Sequence, residues 1–345
     1  QTVHSFFYMI LQALGVIRPG EISFLDRYDQ FKDEALEYFA SGTLTTNDVE
    51  TLLQSRNSDF SWDFIFVDEG QDWPINEQEL LLHLYPYNRF LIADGIDQLT
   101  RTPLPAKWGD RSRAASTLYF PLKTCLRMKA GLVRFVTSFA ADLGLVQSNW
   151  LANTGIPGGR IIIIEGDYFG NRHFHDSLLT YNQNAGNQPV DTLFCLSPRL
   201  VPPSAEHEVL LSSAGQKFKE WGYQIWDGAI GDIRDSYPTD TEQIRIVQYD
   251  SCRGLEGWVV VNLDFDGFYA HKLEKYQLLP PDRKRPLGND AEEAHLYASR
   301  WSLIPLSRAM DTLVIQISKR PTPISKALRK AAETFPDMVE WCISS

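Results

Sequence analysis

Carboxylates that follow directly on a run of strand-forming residues are placed to do phosphate chemistry. Phe64-Ile65-Phe66-Val67 is such a run, and Asp68-Glu69-Gly70-Gln71-Asp72 follows it without a break. Four apolar residues rich in β-formers predict a strand buried on both faces, in the middle of a parallel sheet. In open α/β sheets ligands bind at the carboxyl ends of the strands, which is where Asp68 and Glu69 then stand. An Asp there suits a hydrated Mg²⁺, which takes oxygen ligands and keeps most of its waters. A Glu beside it can orient or deprotonate a water that attacks a γ-phosphate. An acidic turn after a core strand is the plainer reading of Asp-Glu alone. Partner residues decide between the two.

Such partners follow in order. Arg89 to Ala93 reads as a second buried strand, ending in Asp94-Gly95-Ile96-Asp97-Gln98. The Gln98 amide can donate to a phosphate oxygen and accept from water. Near the start, Thr2-Val3-His4-Ser5-Phe6-Phe7 offers hydroxyls for phosphate oxygens and rings that stack on bases. A capped helix is the alternative there. Ser251-Cys252-Arg253-Gly254-Leu255-Glu256 sits between the strands Ile244 to Val247 and Trp258 to Leu263. A glycine such as Gly254 lets the backbone approach a ligand closely.

The elements that must hold these residues alternate. Helical patterns over Ile75 to Leu84, Lys129 to Leu143 and Phe174 to Gln183 separate short apolar strands at Arg160 to Glu165 and Asp191 to Leu196. That alternation argues for βαβ units and a parallel sheet. Thr117 to Phe120 reads as a short strand. Phe265 to Asn289, with Pro280-Pro281 and Asp282-Arg283-Lys284-Arg285, reads as a surface loop, and Pro321 to Ser345 as a terminal helix.

Composition narrows the class. The 345 residues are 43% hydrophobic and 22% charged, with a formal charge of −11. That balance argues against a protein that coats nucleic acid all over, though not against a local basic groove. The four cysteines are scattered, with no C-x-x-C pair, so neither zinc nor a disulfide framework is expected. No apolar run approaches a membrane span, and a cytoplasmic location is expected. Gln1-Thr2-Val3-His4 carries neither a signal peptide nor an initiator Met, so the chain reads as a fragment or a processed product.

Taken together, these stretches resemble the motifs of the UvrD/Rep-like group of superfamily 1 helicases. Thr2 to Phe6 resembles T-x-H-S-F, and Asp68 to Asp72 resembles D-E-x-Q-D. Asp94 to Gln98 resembles G-D-x-x-Q, with Ala93 in place of its first Gly. Leu122 to Arg127 is similar to L-x-x-N-Y-R, with Cys125-Leu126 for the Asn-Tyr pair whose ring stacks on adenine. Gln248 to Glu256 resembles T-x-H-x-x-K-G-L-E, with Gln248 and Asp250 at the Thr and His positions and Arg253 for Lys. Leu306 to Ala309 is similar to the end of V-A-L-T-R-A, with Ser307 for Thr.

The resemblance implies an α/β fold of two RecA-like P-loop NTPase domains with parallel sheets, the first incomplete at its N-terminus. The domains would span 1–116 and 117–320, followed by a C-terminal helix over 321–345. It implies an ATP-dependent DNA helicase or translocase, with ATP and Mg²⁺ as cofactors and single-stranded DNA, or else RNA, as the track. Asp68 would bind the metal. Glu69, Gln98, Arg127 and Arg308 would be catalytic, and together the acids, amide and arginines could surround one triphosphate. Gln71, Gly254 and Glu256 would hold the nucleotide, and Thr2, His4, Ser5 and Arg253 the nucleic acid. A protein partner is also compatible with the acidic charge and the aromatic residues.

No G-x-x-x-x-G-K-[ST] phosphate loop occurs in the sequence. The expectation is that this loop lies upstream of Gln1, and that the chain alone binds ATP poorly and does not hydrolyse it. Two alternatives stand beside the motor: an ATPase switch that does not unwind, and a nucleic-acid-binding scaffold in a repair or defence complex.

Overall fold

The computed structural model describes residues 3–95, 99, 101–102, 105–108, 118, 120–145, 150–202, 211–234, 236–280, 284 and 289–344. The chain divides into two compact units, Gln1–Leu118 and Tyr119–Ser345.

In the first unit, helices α1 (Val3–Ala13), α2 (Tyr28–Ser41), α3 (Thr46–Ser55) and α4 (Asn57–Phe60) precede strand β1 (Ile65–Val67). Helix α5 (Ile75–Leu84) and strand β2 (Phe90–Ile92) follow. β1 and β2 pair in parallel, with Phe66 opposite Leu91. A parallel pair needs a crossover, and α5 supplies it. Thr45 and Asp48 start α3 with a reciprocal capping box. Phe6, Phe7, Phe31, Val49 and Leu80 close over Ile65 and Val67 in one apolar core.

The other face of this sheet departs from expectation. Phe64, Phe66 and Leu91 are 70%, 74% and 61% exposed. The strand is therefore not buried on both faces. The unit's helices pack from the Ile65 and Val67 side, and among the described residues nothing covers the opposite one.

In the second unit, β3 (Thr124–Cys125), α6 (Ala130–Asp142) and β4 (Leu151–Ala152) come first, β3 and β4 forming a short parallel pair. Next are β5 (Arg160–Glu165), α7 (Arg172–Asn184), β6 (Thr192–Leu196), α8 (Ser213–Glu220), β7 (Ile225–Asp227) and α9 (Gly231–Arg234). β8 (Ile244–Gln248), β9 (Gly257–Leu263), α10 (Phe265–Gln277), α11 (Asp290–Leu306), β10 (Ala309–Ile317), α12 (Pro323–Thr334) and β11 (Val339–Ile343) complete it.

Seven strands form one sheet in the order β11-β5-β10-β9-β6-β8-β7. Every pairing in it is parallel. Its central strands read as near-continuous apolar runs because both faces are covered. α6, α10, α11 and α12 pack on one face through residues such as Phe135, Phe268, Leu303 and Leu328. α7 and α8 pack on the other through Leu178 and Phe218. The unit is thus an α/β layer structure with helices on both sides of a parallel sheet.

Two segments correct the sequence expectations. Phe265 onward is not a surface loop but begins with the thirteen-residue helix α10. Phe265, Phe268, Tyr269, Lys272 and Tyr276 recur at helical spacing and are buried. The tail is not one terminal helix either. α12 ends at Thr334, and β11 then adds to the sheet edge beside β5. Val339, Trp341 and Ile343 alternate along it as a strand's residues do. The expected strand at Thr117 to Phe120 falls partly outside the described residues, and Leu118 and Phe120 are not in a strand.

Candidate functional site

The acidic turn after β1 is built around one residue in a left-handed conformation. Glu69 has φ 51 and ψ 44, a region that residues with a Cβ enter at a cost and that clusters at functional sites. Its backbone N–H donates to Asp68 Oδ1 at 2.9 Å. Gln71 Nε2 donates to Glu69 Oε2 at 2.8 Å, and Gln71 Oε1 accepts from the Gly95 N–H at 2.6 Å. Gln71 is buried and bridges the acid to the loop after β2. Gly70 donates to the Ala93 carbonyl, and a Cβ on it would lie 2.6 Å from Ile92 Cγ2. Asp72 Oδ1 accepts from the backbone N–H groups of Arg101 and Thr102 at 2.7 and 3.3 Å. Asp68 itself is exposed at the strand's end. One exposed carboxylate suffices for a Mg²⁺ that is otherwise held by waters and substrate phosphates. Among the described residues, no three His, Cys, Asp or Glu side chains gather as a metal cluster.

His4 and Ser5 lie exposed in the first turn of α1. The His4 ring is 4.8 Å from that of Tyr28, and partial burial, then Arg101, hold its imidazole below the usual range. Beneath them the buried Lys32 and Glu77 pair at 3.1 Å, and Arg101 reaches the same Glu77 oxygen at 2.5 Å. Thr2 and Gln98 lie outside the described residues.

In the second unit three separate stretches of sequence meet. Arg127 Nε is 3.0 Å from Glu256 Oε2, and Arg127 Nη1 donates to the Ser307 carbonyl at 3.3 Å. Glu256 is exposed, and its carbonyl accepts from Arg245 Nη2 at 2.7 Å. Gly254 has φ +80, which explains the glycine by backbone conformation, and space for a Cβ is open there. Arg253 is half-buried beside it. Arg308 is only 5% exposed. Its Nε donates to the Ile304 carbonyl at the end of α11, and its Nη2 to Ser307 Oγ at 2.9 Å. Arg127 is thus presented outward, whereas Arg308 is held inside the fold.

Sequence reasoning passed over several residues of this site. Lys129 pairs with Asp311, its ammonium lies 5.2 Å from the Trp258 ring centre, and Tyr181 donates to Asp311 Oδ2 at 3.1 Å. The signal was Asp311 itself, an acid inside an apolar strand that needs a partner once buried. Asp250 is taken up by Lys272, 2.5 Å away and wholly buried on α10. The Lys272 ammonium also sits 3.5 Å from the Trp301 ring centre.

No family model matches the chain, and no curated protein matches it. Among solved structures it is similar to the C-terminal domain of a possible DNA helicase from Lactobacillus plantarum WCFS1. The two share 14% identity with a TM-score of 0.32, over 63% of this chain and 99% of that one. So distant a likeness decides neither a fold family nor an activity. No helix among the described residues is long and apolar enough to cross a membrane.

Proposed function

We propose that the chain is part of an ATP-dependent DNA motor of the UvrD/Rep-like kind, with its two units as RecA-like domains. It would couple ATP hydrolysis to movement on single-stranded DNA. The observation that carries this reading is the meeting of Arg127, Glu256 and Ser307, residues from three motif-like stretches that are far apart in sequence. An outward arginine beside a ribose-accepting carboxylate is what a nucleotide's sugar and phosphates require. In the first unit, Glu69 is held left-handed and tied through Gln71 to Gly95. Asp68 would take Mg²⁺ and Glu69 would orient the attacking water. Arg308 would have to leave the Ile304 carbonyl and the Ser307 hydroxyl before it could reach a phosphate.

The missing chemistry is a phosphate loop. The bare face of Phe64, Phe66 and Leu91 fits a sheet that a further strand–loop–helix segment completes. A strand added parallel to β1 would end beside Asp68, so its loop would lie at the acids.

One observation favours the switch that does not unwind. Asp250, on what would be the nucleic-acid side, is neutralised internally by Lys272 rather than replaced by a contact residue.

The test is ATP turnover by the chain alone and by a form completed with a phosphate-loop segment, each with and without single-stranded DNA. Turnover in the completed form only, stimulated by DNA and abolished by Glu69→Gln with ATP binding retained, is expected. Absence of turnover in both forms would move the reading to a scaffold. Strand displacement on a forked duplex separates motor from switch.

A further inference from the structure

Leu126 stands where the family pattern has the tyrosine on which adenine stacks, and an aliphatic side chain offers a base no π-face. A ring is available nearby. A cleft of about 490 Å³ opens at the amino ends of β6, β8, β9 and β10, lined by Asn187, Asp191, Arg245, Glu256, Trp258 and Met310. We propose that Trp258 is the platform for the nucleotide's base in this cleft, a proposal that rests on the ATP reading above.

Three features support it. Trp258 comes two residues after Glu256, and both line the cleft. A ribose held by Glu256 would have its base within reach of the indole. The ring is already fixed, because Lys129 lies over it and Asp311 holds Lys129. The Trp258 Nε1–H is buried and has no hydrogen-bond partner among the described residues. It is an in-plane donor at the ring's edge, whose signal reports on a ligand laid on the face.

Charge selects the base end of the nucleotide for this cleft. Asp191 and Glu256 are acids, and the one arginine, Arg245, already donates to the carbonyls of Val190 and Glu256 at 2.5 and 2.7 Å. Such a lining disfavours phosphate and accepts a neutral ring, with Asn187 and Asp191 facing its polar edge. The phosphates would then extend toward Arg127.

The experiment follows the indole ¹⁵N–¹H signals of the full chain, with the Trp258 signal assigned from its loss in Trp258→Phe. ATP, adenosine and inorganic tripolyphosphate are titrated separately. The proposal expects the Trp258 signal to move with ATP and adenosine but not with tripolyphosphate. It also expects Trp258→Leu to weaken ATP binding about tenfold or more while Trp258→Phe retains most of it. If other signals saturate with ATP while that of Trp258 stays still, the base lies elsewhere and the ATP reading survives alone. If no signal moves with ATP or tripolyphosphate, both fall. The wild-type titration needs no folded variant, so a misfolding Trp258→Leu would not blunt it.

Discussion

The Arg127 guanidinium rests 3.0 Å from the Glu256 carboxylate, so two groups proposed to hold one nucleotide neutralise each other. Both side chains are substantially exposed, at 38% and 55%. Water and salt screen such a pair, and its coupling is expected at about 0.2–1 kcal/mol. A double-mutant cycle with Arg127→Ala and Glu256→Gln in urea denaturation measures this. A coupling of several kcal/mol would mean the pair is a structural lock and not a contact that a nucleotide can open.

Gly70 lies where the acidic turn touches β2. A methyl group there would stand 2.6 Å from Ile92 Cγ2 and 3.1 Å from Trp108 Nε1. Gly70→Ala should therefore destabilise the first unit by about 1–3 kcal/mol and loosen the Gly70-to-Ala93 contact. Thermal unfolding with hydrogen exchange of the residue-70 amide, which donates to the Ala93 carbonyl, reads both, and an unchanged melting profile would show that the turn yields freely.

Lys272 gives a basic-side pH dependence. Burial brings its ammonium down to about 8, despite Asp250, from 10.5. Between those values the unfolded chain binds a proton that the folded chain has released, so stability rises with pH. That contribution is complete above 10.5 and is lost as pH falls through 8. The rise should reach up to about 3 kcal/mol and vanish in Lys272→Met. Denaturant titrations from pH 7.5 to 10.5 check it, and a flat wild-type profile would contradict it.

His175 gives the acid-side counterpart. It is buried on α7, its Nδ1 2.9 Å from the Tyr168 hydroxyl, and burial pushes it down to about 4. Stability from the neutral ring is present above 6.5 and lost as pH falls through 4. His175→Phe should be less stable at pH 7, because the Tyr168 hydroxyl loses its partner, yet less sensitive to acid. Unfolding free energies at pH 7, 5.5 and 4.5 compare the two.

Much of this was legible because periodicity and motif order speak directly of local structure. Ile75–Leu84 forms the expected helix, and Arg160–Glu165 the expected strand. What escaped was set by tertiary context. α10 was hidden by the Pro280-Pro281 and charged run that follow it, although Phe265, Phe268, Tyr269 and Tyr276 carry its apolar stripe. Phe64 and Phe66 read as core because composition cannot tell a covered face from a bare one. Lys272 read as surface because its partners, Asp250 and Trp301, come from other elements. The exposure of Arg127 and the burial of Arg308 have no signature in sequence at all.

The most direct test of the central claim is a Mg·ATP titration of the chain by calorimetry, wild type against Arg127→Ala, at concentrations into the millimolar range. The account predicts weak binding that Arg127→Ala lowers about tenfold, with no turnover during the titration. Equal binding by the two proteins, or hydrolysis by the chain alone, would contradict it.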